Sequence, residues 1–226
     1  VNNMKAVLFD MDGVLIDSEM FYMKGTYDWI SKRGFKGKLE DTFRLIGTNM
    51  EGTYNLLYEM LNKKYTISEI EEENRKYFLE HPIDYKAILK PYVKEILVFL
   101  KEHKIKTAVC SSSPKKTIEK ALKDCEILEY FGFIVSSDEV KKSKPNPDVY
   151  LKACEFLKVS KEDAFVIEDS TRGIEAGKNA NIKVIAIKDK FFGQDQAKAD
   201  YIFEDLGEVL EFFKEMNLTN YNKNSL

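Results

Sequence analysis

The pattern that most restricts this chain is a short run of strand-forming apolar residues that stops abruptly at a carboxylate. Lys5-Ala6-Val7-Leu8-Phe9 leads straight into Asp10, and Gly13 follows. A run that is apolar on both faces reads as a strand inside a sheet, delivering a charged side chain to the loop beyond it. The pattern recurs along the chain. Ile105 to Cys110 ends in Ser111-Ser112-Ser113, Ala164 to Ile167 ends in Glu168-Asp169, and Lys183 to Ile187 is a further run of the same kind. Helical periodicities separate these runs: Val93, Ile96, Leu97 and Leu100 in one, Ile118, Ala121, Leu122 and Cys125 in the next, Val149, Ala153, Phe156 and Leu157 in the third. Pro91, Pro114 and Pro147 are placed as first-turn prolines of these helices, with Ser113 and Asn146 as N-caps. Strands alternating with helices predict an α/β fold, a doubly wound parallel sheet whose functional groups gather at the carboxyl ends of the strands.

Residues 16–89 break the alternation. Met20, Met23, Tyr27 and Ile30 form one helical stripe, Leu56, Leu57, Met60 and Leu61 a second, and Ile67, Ile70, Tyr77 and Phe78 a third, with no strand pattern between them. A chain of 226 residues is long for one minimal domain and short for two large ones. The expected organisation is therefore an α/β core made of residues 1–15 and 90–226, with a small helical domain inserted over 16–89.

Charge and composition exclude several classes of function. The 35 basic and 38 acidic residues are mixed along the chain, giving a net charge of -3 and no broad basic field for a nucleic-acid backbone. No apolar stretch approaches the roughly 20 residues of a membrane span, and Val1 to Asp10 lack the features of a secretory signal. A cytoplasmic protein is expected. Cys110, Cys125 and Cys154 are odd in number and sit in apolar patterns, which suggests reduced core residues and neither disulfide nor zinc. His81 and His103 have no partner pattern and read as solvated or structural.

Asp10 and Asp12 stand two apart beside a glycine, so both carboxylates can address one cavity. The same spacing also occurs in ordinary turns and calcium loops. What distinguishes this chain is the company of other strand ends: Glu168-Asp169 after one buried strand, Ser111 after another, and Lys144 in Ser143-Lys144-Pro145. A doubly wound sheet brings such places together. Each alone reads equally well as a helix cap or solvated turn, as does Arg172 beside the last acidic pair.

Asp10-Met11-Asp12-Gly13-Val14, then Ser111, then Lys144-Pro145, then Glu168-Asp169-Ser170 with Gly173 and Ile174, resemble the four ordered motifs of the haloacid dehalogenase superfamily, over Lys5 to about Ile187. The helical insertion resembles the cap domain of the branch that contains β-phosphoglucomutase and many sugar-phosphate phosphatases. The resemblance implies a Mg²⁺-dependent phosphatase acting on a small phosphorylated metabolite. Asp10 is then the nucleophile that forms an aspartyl phosphate, and Asp12 the acid and base that protonates the leaving oxygen and later activates water. Ser111, Ser112 and Lys144 would hold phosphoryl oxygens. Asp10, Asp12 (through its carbonyl), Glu168 and Asp169 would hold the cation. Glu19, Tyr22, Arg44 and Asn49 are the cap's candidates for substrate contact. Neither nucleic acid nor membrane is an expected partner, and a monomer is expected.

Two neighbouring activities fit the motifs less well. A dehalogenase needs neither Asp12 nor a metal, and a transport ATPase needs membrane spans. The alternative is a β-phosphoglucomutase-type mutase. Against it, the position where that mutase carries a histidine reads Tyr22 here, and the position of its phosphate-gripping arginine, near Gly47, reads Met50, with Arg44 or Lys63 as the alternatives that could fill the role from another turn. A non-catalytic binding protein of this fold should have lost one of Asp10, Asp12, Ser111, Lys144 or Asp169, and none is lost.

Overall fold

The apolar runs form adjacent strands. The computed structural model describes residues 4–46, 48 and 50–223, with side chains described as far as Met216. The first strand, β1 (Ala6–Phe9), is followed by three helices, α1 (Ser18–Ser31), α2 (Met50–Met60) and α3 (Ile67–Glu80), with a 3-10 segment at Leu39–Leu45. Strands and helices then alternate: α4 (Val93–Glu102), β2 (Lys106–Ser111), α5 (Lys115–Asp124), β3 (Phe133–Ser136), α6 (Asp148–Leu157), β4 (Ala164–Glu168), α7 (Thr171–Asn179), β5 (Lys183–Ile187), β6 (Tyr201–Phe203) and α8 (Leu206–Lys223). The six strands make one sheet in the order β3-β2-β1-β4-β5-β6, and every pairing is parallel. The predicted α/β fold is the one observed.

Strand burial explains the composition of the runs. Every residue of β1 and β4 is buried, because helices cover both faces of a parallel sheet. The chain reverses direction of build-up at β1, which pairs with β2 on one side and β4 on the other. That is the switch point at which an open α/β sheet forms its crevice. Phe9 pairs with both Val109 and Ile167, so Asp10, Cys110 and Glu168 are neighbours at the carboxyl end of the sheet. Cys110, Cys125 and Cys154 are reduced and buried in the core, the Cys125 thiol donating to the Tyr85 carbonyl at 3.3 Å.

The chain divides into two compact units, residues 1–17 with 85–226, and residues 18–84. The boundaries expected from the sequence lie at 15/16 and 89/90. The outer residues stay with the sheet unit because Ile16 bridges Leu89 in antiparallel fashion and the Asp17 N–H donates to the Ile88 carbonyl at 2.9 Å. Within the helical unit, α3 starts at a reciprocal cap: the Glu69 N–H donates to Thr66 Oγ1 at 3.2 Å, and the Thr66 N–H donates to the Glu69 carboxylate at 2.7 Å.

The structure corrects the helix starts. Pro114 and Pro147 stand at the N-cap position itself, ahead of helices that begin at Lys115 and Asp148, and Pro91 lies two residues ahead of Val93. Neither Ser113 nor Asn146 caps. The Ser113 hydroxyl is used on Asp12, and the Asn146 amide donates back to the Ser143 carbonyl. Two strands lay outside the sequence reading, β3 and β6, with four and three residues. Both are sheet edges too short to carry a period. His81 and His103 end α3 and α4, each with Nδ1 against the carbonyl four residues back.

Candidate active site

The loop after β1 begins as a continuation of the ladder, with the Asp10 N–H donating to the Ile167 carbonyl at 2.9 Å. It then closes tightly on itself, the Met11 carbonyl accepting from the N–H groups of Val14, Leu15 and Ile16. Gly13 makes this possible. Its φ is +84°, a region open to glycine, and a Cβ there would stand 1.9 Å from Asp169 Oδ2. The glycine therefore lets the first loop lie directly against the carboxylate delivered by β4. Gly173, in the first turn of α7, plays the same part for Glu168: a Cβ there would lie 1.8 Å from Glu168 Oε1. Ser170 caps that helix by accepting from the Gly173 N–H at 3.1 Å.

At the centre is a buried ion cluster. Lys144 Nζ donates to Asp10 Oδ1 at 2.7 Å, to Glu168 Oε1 at 2.6 Å and to the Cys110 carbonyl at 2.9 Å, which uses all three N–H bonds of the ammonium. Lys144, Asp10 and Glu168 are respectively 5%, 7% and 0% exposed, so these charges feel little solvent screening. Glu168 is saturated. Oε1 also accepts from the Tyr150 hydroxyl at 2.7 Å, and Oε2 accepts from the Asp169 and Ser170 N–H groups and the Ser170 hydroxyl. Burial, reinforced by the neighbouring charge of Glu168, pushes the Asp10 carboxyl well above the usual carboxylate range despite Lys144. Burial would lower Lys144, but Asp10 and Glu168 outweigh it and hold the ammonium above its ordinary value. Burial, then Glu168, drives the Tyr150 phenol well above its usual range, so it serves as a donor only.

Asp12 faces a second set of groups. Its Oδ2 accepts from the Ser113 hydroxyl at 2.9 Å and from the Ser111 hydroxyl at 3.5 Å. Ser111 is fully buried at the end of β2 and also accepts from the Ser113 N–H at 3.1 Å. Ser112 is exposed, and its carbonyl accepts from the Ser137 hydroxyl. The structure thus brings Asp10, Asp12, Ser111, Lys144, Glu168 and Asp169 to one end of the sheet. Arg172 is tied to the same place, its guanidinium donating to the Lys144 carbonyl at 2.5 Å.

Asp10, Glu168 and Asp169 can each offer a carboxylate oxygen within 4.8 Å of the others. Hard oxygen donors of this kind suit Mg²⁺. The local charge fits as well: the carboxylates of Asp10, Glu168 and Asp169 converge, and the ammonium of Lys144 bonds to the first two of them.

The cap candidates lie in the helical unit. Glu19 stands in the first turn of α1, Arg44 in the 3-10 segment, and Tyr22 lines a cavity of about 590 Å³ inside that unit. Met50, Arg75 and Phe78 line the same cavity. Asn49 and Gly47 lie outside the described residues. Three residues at the sheet's end escaped the sequence reading of the site. Ser113 stands in the serine triplet, where a cap is expected, and its hydroxyl donates to Asp12 instead. Tyr150 sits one position after a core valine in α6, and Gln196, whose amide donates to the Asp169 carbonyl at 2.6 Å, lies in a loop with no motif.

Comparison with known proteins gives a consistent picture. The profile of the family described as haloacid dehalogenase-like hydrolase matches residues 7–187. A phosphorylated carbohydrates phosphatase of Thermotoga maritima is 35% identical over 189 residues, covering 80% of this chain and 84% of the other. A pyrophosphatase, PpaX, of Bacillus cereus is 26% identical over 217 residues, covering 93% and 97%. Among solved structures, β-phosphoglucomutase from Clostridium difficile superposes with a TM-score of 0.69 at 24% identity, covers 98% of each chain, and has the same fold.

Proposed function

Since the chain belongs to the haloacid dehalogenase-like hydrolase family and is an enzyme of phosphate-ester hydrolysis, we propose that it is a Mg²⁺-dependent phosphatase of small phosphomonoesters that works through covalent catalysis by Asp10. The observation that carries this reading is the convergence of the Asp10, Glu168 and Asp169 carboxylates, within 4.8 Å of one another, beside the ammonium of Lys144.

An Asp10 oxygen attacks phosphorus in line, the bond to the leaving oxygen breaks, and the phosphoryl group rests on the aspartate. Asp12, oriented by the hydroxyls of Ser113 and Ser111, gives its proton to the departing alkoxide. The same carboxylate then takes a proton from water, which displaces phosphate and restores Asp10. Lys144, by exchanging its bond to Asp10, and Ser111 hold phosphoryl oxygens, and the ammonium's contribution grows as negative charge shifts outward. Asp10, the Asp12 carbonyl and Asp169 would hold the cation, which would supply Lewis-acid polarisation and offset the carboxylate cluster. Glu168, with its oxygens occupied by five donors, acts by fixing Lys144 and would serve the cation as a further or water-mediated ligand.

Phosphorylated carbohydrate is the substrate class favoured by the Thermotoga maritima relative. Hydrolysis against isomerisation separates the phosphatase from a mutase. Purified protein should release phosphate from hexose, pentose or glycerol monophosphates only with Mg²⁺, and Asp10→Asn should lower turnover by at least about 10⁴-fold. Conversion of β-glucose 1-phosphate to its isomer without phosphate release would favour the mutase. Turnover surviving in Asp10→Asn would refute the covalent route.

A further inference from the structure

Beyond the motifs, one buried amide does an uncommon job. Gln196 is 8% exposed, and its Nε2 donates to the Asp169 carbonyl at 2.6 Å and to the Ile187 carbonyl at 2.8 Å. Its Oε1 accepts from the Asp189 N–H at 3.1 Å. The register of β4 against β5 ends with Glu168 opposite Ala186, so Asp169 and Ile187 are the next pair in line. At that point the strands part, and the two amide hydrogens of Gln196 bond one carbonyl of each. The side chain adds a rung that the backbones no longer form.

The rest of the loop fastens the same segment. Gln194 Oε1 accepts from the Thr171 N–H at 2.9 Å, and Thr171 Oγ1 accepts from the Asp195 N–H at 2.8 Å. The loop is itself preorganised, because the Asp189 carboxylate accepts from the N–H groups of Phe191, Phe192 and Gln194. On the other side of Asp169, its own N–H donates to Glu168 Oε2 at 3.1 Å, and Gly13 stands against its carboxylate. The backbone of Asp169 is thereby held at both its peptide groups.

We propose that Gln196 is a positioning residue for the cation site: it fixes the backbone of Asp169 so that the carboxylate meets that of Asp10 at a separation a divalent ion can bridge. This rests on the reading of the site given above. Partners that orient a metal ligand typically govern affinity for the ion by about 10- to 100-fold.

The test compares Gln196→Met, which matches the side chain in length and removes the donors, with the unsubstituted protein and with Thr66→Ala in the helical unit. The readout is thermal unfolding against Mg²⁺ concentration without substrate, paired with the Mg²⁺ dependence of kcat. Gln196→Met should raise the Mg²⁺ midpoint by about 10-fold or more in both, with KM at saturating Mg²⁺ within about twofold. Thr66→Ala should lower the melting temperature and leave the midpoint alone. If Gln196→Met does not fold, Gln196→Asn, which keeps the amide but is too short to reach both carbonyls, carries the comparison. A Mg²⁺ midpoint unmoved in a folded variant overturns the proposal and leaves the phosphatase reading intact. An unsubstituted protein that does not respond to Mg²⁺ overturns both.

Discussion

Lys144 shows how tightly the site is determined at the level of single residues. Its three N–H bonds go to two carboxylates and a carbonyl, so removing the ammonium leaves Asp10 and Glu168 facing each other in the core. Breaking a buried ion pair by removing one partner costs about 3–5 kcal/mol, and Lys144→Met should lose that much in denaturant unfolding. Tyr150→Phe deletes one hydrogen bond to the same carboxylate and should cost about 1.5–3 kcal/mol. The reverse ranking would mean that the cluster is held by packing. Asp10 gives a prediction of opposite sign. Its folded pKa lies above the unfolded value of about 3.9, so its stabilising contribution is full below that pH and is lost as pH rises through the raised folded value. Without cation at neutral pH, Asp10→Asn should therefore melt higher than the unsubstituted protein, with the gap closing towards pH 4. Asp10, Asp12, Glu168 and Asp169 were legible as candidates because they follow apolar runs, and Lys144 only through its proline-flanked segment Ser143-Lys144-Pro145. Tyr150 and Gln196 were not, since a phenol in a helix and an amide in a loop acquire meaning only from groups 18 and 27 positions away.

At the level of elements, the loop after β1 depends on one backbone conformation. Gly13→Ala would place a methyl against the Asp169 carboxylate at a φ that an L-residue adopts at a cost of about 1–3 kcal/mol. The expected result is a folded protein, modestly destabilised, that has lost most of its Mg²⁺ response, as measured by calorimetry with and without the ion. Full retention of Mg²⁺ binding would mean that the first loop and the β4 loop do not share the site. The four buried runs were read from the sequence to within a residue or so, since a strand covered on both faces writes a continuous apolar signature. β3 and β6 were missed for the converse reason: at the edges, four and three residues carry no period, and pairing with β2 and β5 is what makes them strands. The helix starts shifted because proline preceded the first helical residue, and a serine suited to capping was drawn to Asp12.

For the molecule as a whole, stability should depend on the cation. An ion that binds only the folded state at a hundredfold excess over its Kd adds about 2.7 kcal/mol, which in a domain of this size raises the melting temperature by about 5–10 °C. The increment should fade as the pH drops towards 4 and protons compete for the carboxylates. An equal gain at pH 4 and pH 7 would point to binding elsewhere. The net charge of -3 is too small to mask such an effect. The parallel architecture was legible from the alternation alone, and the succession of helices from α1 to α3 from their periodicities. The limits of the second unit were less so, because residues 16, 17 and 85–89 carry no feature that reveals their pairing across the interruption.

That pairing has a consequence for how such a chain can change. Ile16 and Leu89 lie side by side, with Asp17 bonded to Ile88, so the polypeptide departs from the sheet and returns to it through a single narrow gate. Whatever is grafted between these two stems needs only to begin and end a strand's width apart. Lineages could exchange the graft wholesale while the sheet and the carboxylates at its end stay untouched.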